Sequence, residues 1–174
     1  MVIQTERGQA EEQIVAALRA VFDASVMNFG SYNLLFATNE PGAQPGETVG
    51  EGSLSEGPSA QEEVQQATHL LVGYRREPAE MVLCPVDLNT VLPPNNDDDA
   101  VAPKVPVLVN MTNLAGMAAQ GSSVEIALST GRRVKLDIQP EVVFEQTPQT
   151  PLHQGLDVED FYSFLDHFMD TVER

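Results

Sequence analysis

Two short apolar runs on either side of residue 130 leave the chain little conformational choice. Val124 and Ile126 alternate with Glu125 and Ala127, and Val134 and Leu136 alternate with Arg133 and Lys135. Period-two alternation is the pattern of a strand with one buried face. Opposed residues of a hairpin share a face, so parity selects the loop length. With Ser129-Thr130-Gly131 as a three-residue loop, Ile126 faces Val134, Val124 faces Leu136, and Glu125 meets Lys135 on the other face. A two-residue loop at Thr130-Gly131 would set Leu128 opposite Arg133 and mix the faces. The three-residue loop is therefore expected, with Gly131 in the left-handed conformation. An antiparallel sheet follows, and the rest of the chain must supply more strands and a cover for the apolar face.

Two stretches carry helical periodicity. In 10–24, Ile14, Leu18, Val21 and Phe22 share one face. In 158–172, Phe161, Phe164, Leu165, Phe168, Met169 and Val172 form one stripe. Asp157 is expected to cap that second helix, with Leu156 stapled to Phe161. Residues 29–37 read as a strand in which Tyr32, Leu34 and Phe36 alternate with Asn33 and Leu35. Residues 69–75 and 81–87 predict another hairpin. Glu77-Pro78-Ala79-Glu80 suits a type I turn, which sets Tyr74 opposite Leu83 and Gly73 opposite Cys84. Leu108, Met111, Leu114, Ala115 and Ala118 fit a helix over 108–119 ended by Gly121, while the β-branched start at Val105–Val109 also suits a strand. Residues 139–156 contain Pro140, Pro148 and Pro151 and predict an irregular connection.

Charge narrows the partners. The chain has 26 acidic and 9 basic residues, a net charge of −17, and no Lys or Arg between Arg19 and Arg75. Such a field repels nucleic-acid phosphates and anionic membranes, so the expected partner is a protein, one with basic segments being favoured. Residues 39–67 are rich in Gly, Pro and Glu and poor in large apolar side chains, and read as a long flexible acidic loop. Its end offers one helical turn, from the capping-box spacing of Ser59 and Glu62. Residues 89–104 read as a second loop. At 174 residues, a single domain spanning 1–174 is expected. Cys84 is the only cysteine, which excludes an internal disulfide and fits a reducing compartment. Met1 to Ala10 is polar and lacks a signal-peptide core, so a cytoplasmic protein is expected.

Chemistry is sparse. Asn95 to Asp99 holds three adjacent acids but lacks the alternating ligands, central Gly and distal Glu of a calcium loop. His69, His153 and His167 are scattered, with no zinc-helix spacing, and a lone Cys84 supplies no thiolate pair. Arg75, Arg76, Arg132, Arg133 and Lys135 gather at hairpin ends, where they offset nearby acids or form a small anion site. No phosphate loop or nucleophile elbow is present. The expectation is a non-enzyme with no catalytic residue, cofactor or metal.

The element order predicts an α+β protein: a mostly antiparallel sheet of about five strands with N-terminal, middle and C-terminal helices. This order, the acidity, and the run Leu108-Val109-Asn110-Met111-Thr112-Asn113-Leu114-Ala115 followed by the Val124–Leu128 and Val134–Leu136 hairpin resemble the type III secretion chaperones and their YbjN-like relatives. The resemblance covers roughly residues 10–38 and 68–174. It implies a chaperone-like homodimer that binds an extended client segment across sheet and helices. Tyr32, Leu34, Phe36, Leu70 and Val72 are then the candidate partner-binding residues, and Leu108, Met111 and Leu114 the candidate dimer-helix residues. Each also reads as ordinary core. An alternative resemblance is a pleckstrin-homology-like barrel, an adaptor module that also ends in hairpins and a C-terminal helix. A strand at 105–111 in place of the middle helix distinguishes it. A third reading, an acidic nucleic-acid mimic, requires the acids to form an ordered stripe.

Overall fold

The computed structural model describes residues 9–26, 32–39, 64, 67–77, 79–92, 106–110 and 112–173. The protein is α+β, with an antiparallel sheet of seven strands and a separate two-stranded hairpin among these residues. Helix α1 (Gln9–Ser25) precedes β1 (Asn33–Asn39), β2 (His69–Arg76) and β3 (Ala79–Pro85). A single turn, α2 (Leu88–Val91), leads to β4 (Val107–Val109), then β5 (Leu114–Gln120), β6 (Ser123–Leu128) and β7 (Arg133–Asp137). The hairpin β8 (Glu141–Phe144) and β9 (Thr147–His153) precedes α3 (Gly155–Glu173).

The sheet order is β4-β3-β2-β1-β7-β6-β5. Two meanders, β1 to β4 and β5 to β7, are thus joined only where β1 meets β7. One face lines a continuous core with α3: Leu35, Val72, Met81, Ile126 and Leu136 pack with Phe161, Phe164 and Phe168. Of the stripe expected over 158–172, α3 buries Phe161, Phe164, Leu165 and Phe168, and Tyr74 seals them with ring centroids 5.1 Å from both Phe161 and Phe164. Tyr74 also donates to Asp160 at 2.8 Å, and Arg76 pairs with Asp160 at 3.2 Å, which fixes the start of α3 against β2. The other face of β1 to β3 carries α1 and the β8–β9 hairpin through Ile14, Leu18, Phe22, Phe36, Phe144 and Leu152.

The β6–β7 hairpin follows its parity. Ile126 pairs with Val134, Val124 with Leu136 and Glu125 with Lys135, and Gly131 stands at φ 96°. The β2–β3 hairpin differs from expectation by two residues: Tyr74 pairs with Met81 and Gly73 with Val82. Arg76 pairs with Ala79, so the loop has two residues and Glu80 lies in the strand. There Glu80 stands directly opposite Arg75 and forms an ion pair with it. An even slip preserves the faces.

The middle helix is not formed. Residues 107–109 and 114–120 are strands instead, with a turn between them. Asparagine side chains build that turn. Asn110 Oδ1 accepts from the Thr112 N–H at 2.9 Å, Asn113 Oδ1 accepts from the Asn110 N–H at 2.9 Å, and Asn113 Nδ2 donates to the Leu108 carbonyl at 2.7 Å. These local bonds compete with a helical ladder. Leu108 is consequently an exposed residue of an edge strand at 41%, Leu114 packs against the α3 core, and Met111 lies outside the described residues. They do not share a helix face.

Residues 139–156 are likewise not an irregular connection, since β8 and β9 pair there. Pro148 and Pro151 are tolerated because a two-stranded ribbon leaves each strand one free edge. Helix α3 begins before its expected cap: Asp157 is already helical and Leu156 is 64% exposed, so no staple to Phe161 forms. The helical turn expected near Ser59 and the acidic string Asn95 to Asp99 lie outside the described residues, as does most of 39–67. No helix of the described residues is long and apolar enough to cross a membrane.

Candidate partner-binding cleft

The site is set by a break in the sheet. Strand β1 pairs with β2 from Asn33 to Thr38, but with β7 only at Thr38 with Asp137 and Asn39 with Leu136. From Thr38 back towards Asn33 the two strands diverge, and one side chain fills the first part of the gap. Gln154, 3% exposed at the β9–α3 junction, accepts the Phe36 N–H through Oε1 at 2.9 Å. Its Nε2 donates to the Phe36 carbonyl at 2.9 Å and to the Gln139 carbonyl at 2.9 Å. The amide thus stands in for one residue of a missing strand, joining β1 to the segment after β7.

Two residues along, the gap is open. Backbone groups on one strand edge recur every second residue, so the N–H and C=O of Leu34 point the same way as those of Phe36. Among the described residues no strand pairs with them. They face a cleft of about 250 Å³ whose walls include Val15, Leu18 and Arg19 of α1 on one side and Leu152 and Asp157 on the other. The Leu34 side chain packs partly against the α1 core.

Three features fix the walls at this spacing. The first is Gly73, opposite Leu34 in β2. A Cβ there would lie 2.4 Å from Cζ of Phe22, so only glycine lets α1 seat its phenyl ring on the sheet. The second is the contact between Glu11 of α1 and β9: Oε2 accepts the His153 N–H at 2.6 Å, and Oε1 lies 3.2 Å from its Nδ1. The third is a polar cluster below Tyr32. Its hydroxyl donates to Glu80 at 2.6 Å, Arg75 Nε donates to the same carboxylate at 2.8 Å, and the Arg75 guanidinium stands 4.7 Å over the Tyr32 ring. At the rim Arg19 pairs with Asp23 at 3.1 Å.

Burial pushes the Tyr32 hydroxyl up to about 12, helped by its hydrogen bond to Glu80. Tyr74 is raised by burial and then by Asp160, and Tyr162 by burial and then by Asp137. These are all three tyrosines of the chain. Their folded pKa values exceed the unfolded value of 10, so the stability they contribute is full below pH 10. It is lost as pH rises through the folded values, because only the unfolded state releases the protons. The urea midpoint is expected to fall steadily from pH 9.5 to about 12, and Tyr32→Phe to make that fall shallower. Equal slopes for variant and wild type would contradict the assignment.

Of the five candidate partner-binding residues, Tyr32, Leu34 and Phe36 share the α1 face and line the cleft, with Leu71 beside them. Leu70 and Val72 turn to the opposite face and are fully buried against α3, as core positions. Cys84 is a buried thiol. The basic residues do not gather at one anion site: Arg75 serves Glu80, Arg76 serves Asp160 and Arg133 lies 3.4 Å from Glu125. Among the described residues no group of three or more His, Cys, Asp or Glu stands ready to hold a metal ion. Sequence reasoning missed Gln154, for which no local signal exists. It also missed Gly73, for which one does: a glycine inside the apolar run His69–Arg76 marks a close approach. Comparison of the chain with protein-family models, curated proteins and solved structures finds no match.

Proposed function

We propose that this protein is a non-catalytic binding module that takes an extended segment of a partner polypeptide into the cleft beside β1. The observation that carries this is the outward-facing backbone pair of Leu34, held open between α1 and Gln154. A donor and an acceptor at strand spacing, flanked by Val15, Leu18 and Leu152, suit strand addition: the ladder supplies affinity and alternate side chains supply selectivity. A net charge of −17 favours encounter with segments that carry basic residues outside the apolar core of the motif.

Within the α+β class, the strand at Val107–Val109 and the two-meander order support the pleckstrin-homology-like adaptor reading over the secretion-chaperone-like one. In that reading α3 plugs the curled sheet and the partner is held outside it, not across a helix pair.

The test is a random peptide display library panned against the full chain, followed by Leu34→Pro. The Leu34 N–H points away from β2, so proline there removes an outward donor and leaves the β1–β2 ladder intact. Enriched peptides are expected to slow hydrogen exchange at the Leu34 amide and to bind Leu34→Pro at least about tenfold more weakly, with Leu34→Ala closer to wild type. A library with no binder, or binders indifferent to Leu34→Pro, would overturn the proposal.

A further inference from the structure

We propose that the free edge of β5 pairs with β5 of a second copy of this chain, antiparallel, about a twofold axis at Ala118. This surface is separate from the cleft and would pair whether or not the cleft takes a peptide.

Among the described residues, strand β5, Leu114–Gln120, ends the sheet order. Edge strands are ordinarily blocked by charge, proline or brevity. This one has seven residues, LAGMAAQ, with neither charge nor proline. It lies inside the longest stretch of the chain without Asp, Glu, Lys or Arg, from Val105 to Val124. Ala115, Ala118, Ala119 and Gln120 are exposed. By contrast β4, the other edge, has only three residues.

The pairing register follows from the ladder. The Leu128 N–H donates to Arg132 at 2.8 Å and the Ile138 N–H to Ser122 at 2.9 Å, so β6 turns the backbone of Leu128, Ile126 and Val124 towards β7. Ala127, Glu125 and Ser123 therefore bond to their β5 partners Gly116, Ala118 and Gln120. The N–H and C=O groups of Met117 and Ala119 are left on the free edge. Antiparallel pairing of two copies uses both residues of both strands when Met117 faces Ala119 of the second copy. Ala118 then stands opposite itself. The methyl group at that position admits the close approach of a non-hydrogen-bonded pair, with Cα atoms about 4.5 Å apart.

A second copy is the favoured occupant on electrostatic grounds. Two chains of −17 repel over most of their surface. Beside β5 they do not: the strand is neutral, and the adjoining β6–β7 hairpin carries Arg132, Arg133 and Lys135 against Glu125 and Asp137. A basic partner gains little at such a neutral edge, whereas a second copy of the strand meets no like charge along it.

The experiment is light scattering on the full chain across a concentration series, with mutational variants alongside. Wild type is expected at twice 18.9 kDa. Ala118→Asp sets two carboxylates opposite each other at the axis and is expected to raise the dissociation constant about 100-fold, with an unchanged circular dichroism spectrum because the residue is exposed. Ala118→Cys is expected to form an intermolecular disulfide under mild oxidation, since the Cα separation lies within the range a disulfide spans. Gln120→Cys, which faces Gly116 in this register, is expected not to. Three results would each overturn the proposal: a wild-type monomer at about 100 µM, a dimer that survives Ala118→Asp, or disulfide cross-linking of the Gln120→Cys variant as efficient as that of Ala118→Cys.

Discussion

Gln154→Leu is expected to lower the stability of the protein by about 3–5 kcal/mol, read as a fall in the urea midpoint. The leucine has nearly the same volume, so the loss is not one of packing. It strands three backbone groups: the N–H and C=O of Phe36 and the C=O of Gln139. Each buried group left without a partner costs about 1–3 kcal/mol, and access to cleft water offsets part of the total. Against a typical stability of about 5–15 kcal/mol, this is a large fraction. Gln154→Glu separates the hydrogen-bond account from any other. Its ionised carboxylate can accept from Phe36 but faces two carbonyl oxygens, so its pKa is raised in the folded state. Stability it contributes is therefore present at pH below the ordinary glutamate value and lost as pH rises through the raised one. The Glu variant should approach wild type near pH 4 and fall behind it at pH 8. A Leu variant within about 1 kcal/mol of wild type would remove the bridging role assigned to Gln154.

Gly73→Val should cost about 3 kcal/mol or more, and Gly73→Ala about 1–3 kcal/mol. In an ordinary strand interior either change would be neutral or stabilising, because glycine is a poor strand residue. Here the sign is reversed by Phe22. A Cβ would stand 2.4 Å from its Cζ and 2.7 Å from its Cε1, and the ring is fully buried, with the Tyr32 ring set edge-on 5.9 Å away. A Cβ therefore fits only if the buried ring, or α1 with it, shifts. Phe22→Leu shortens the side chain at that point. The double variant Gly73→Ala with Phe22→Leu should be more stable than the sum of the two single changes by about 1 kcal/mol or more. Additive losses would show that the close approach is not what glycine serves.

Features fixed over about a dozen neighbouring residues were legible beforehand. Helix α1 and the apolar stripe of α3 follow from the spacing of Ile14, Leu18, Val21 and Phe22, and of Phe161, Phe164, Leu165 and Phe168. The β6–β7 register follows from parity and Gly131. Residues 107–120 failed because small apolar side chains satisfy helix and strand periods alike. The decision fell to Asn110 and Asn113, whose side chains close a turn. Pro148 and Pro151 hide the β8–β9 hairpin in the sequence, because proline excludes only strands bonded on both edges.

The amino-acid sequence alone thus determined the elements whose physics is local, together with the acidic balance of the chain. Only the tertiary structure decided where the sheet parts and what enters the gap. Gln154 and Phe36 are 118 residues apart, and no periodicity or turn rule relates residues at that distance. The cleft exists because the divergence of β1 from β7 leaves backbone groups that must be satisfied: one pair is met by an amide side chain, and the next faces an open cleft.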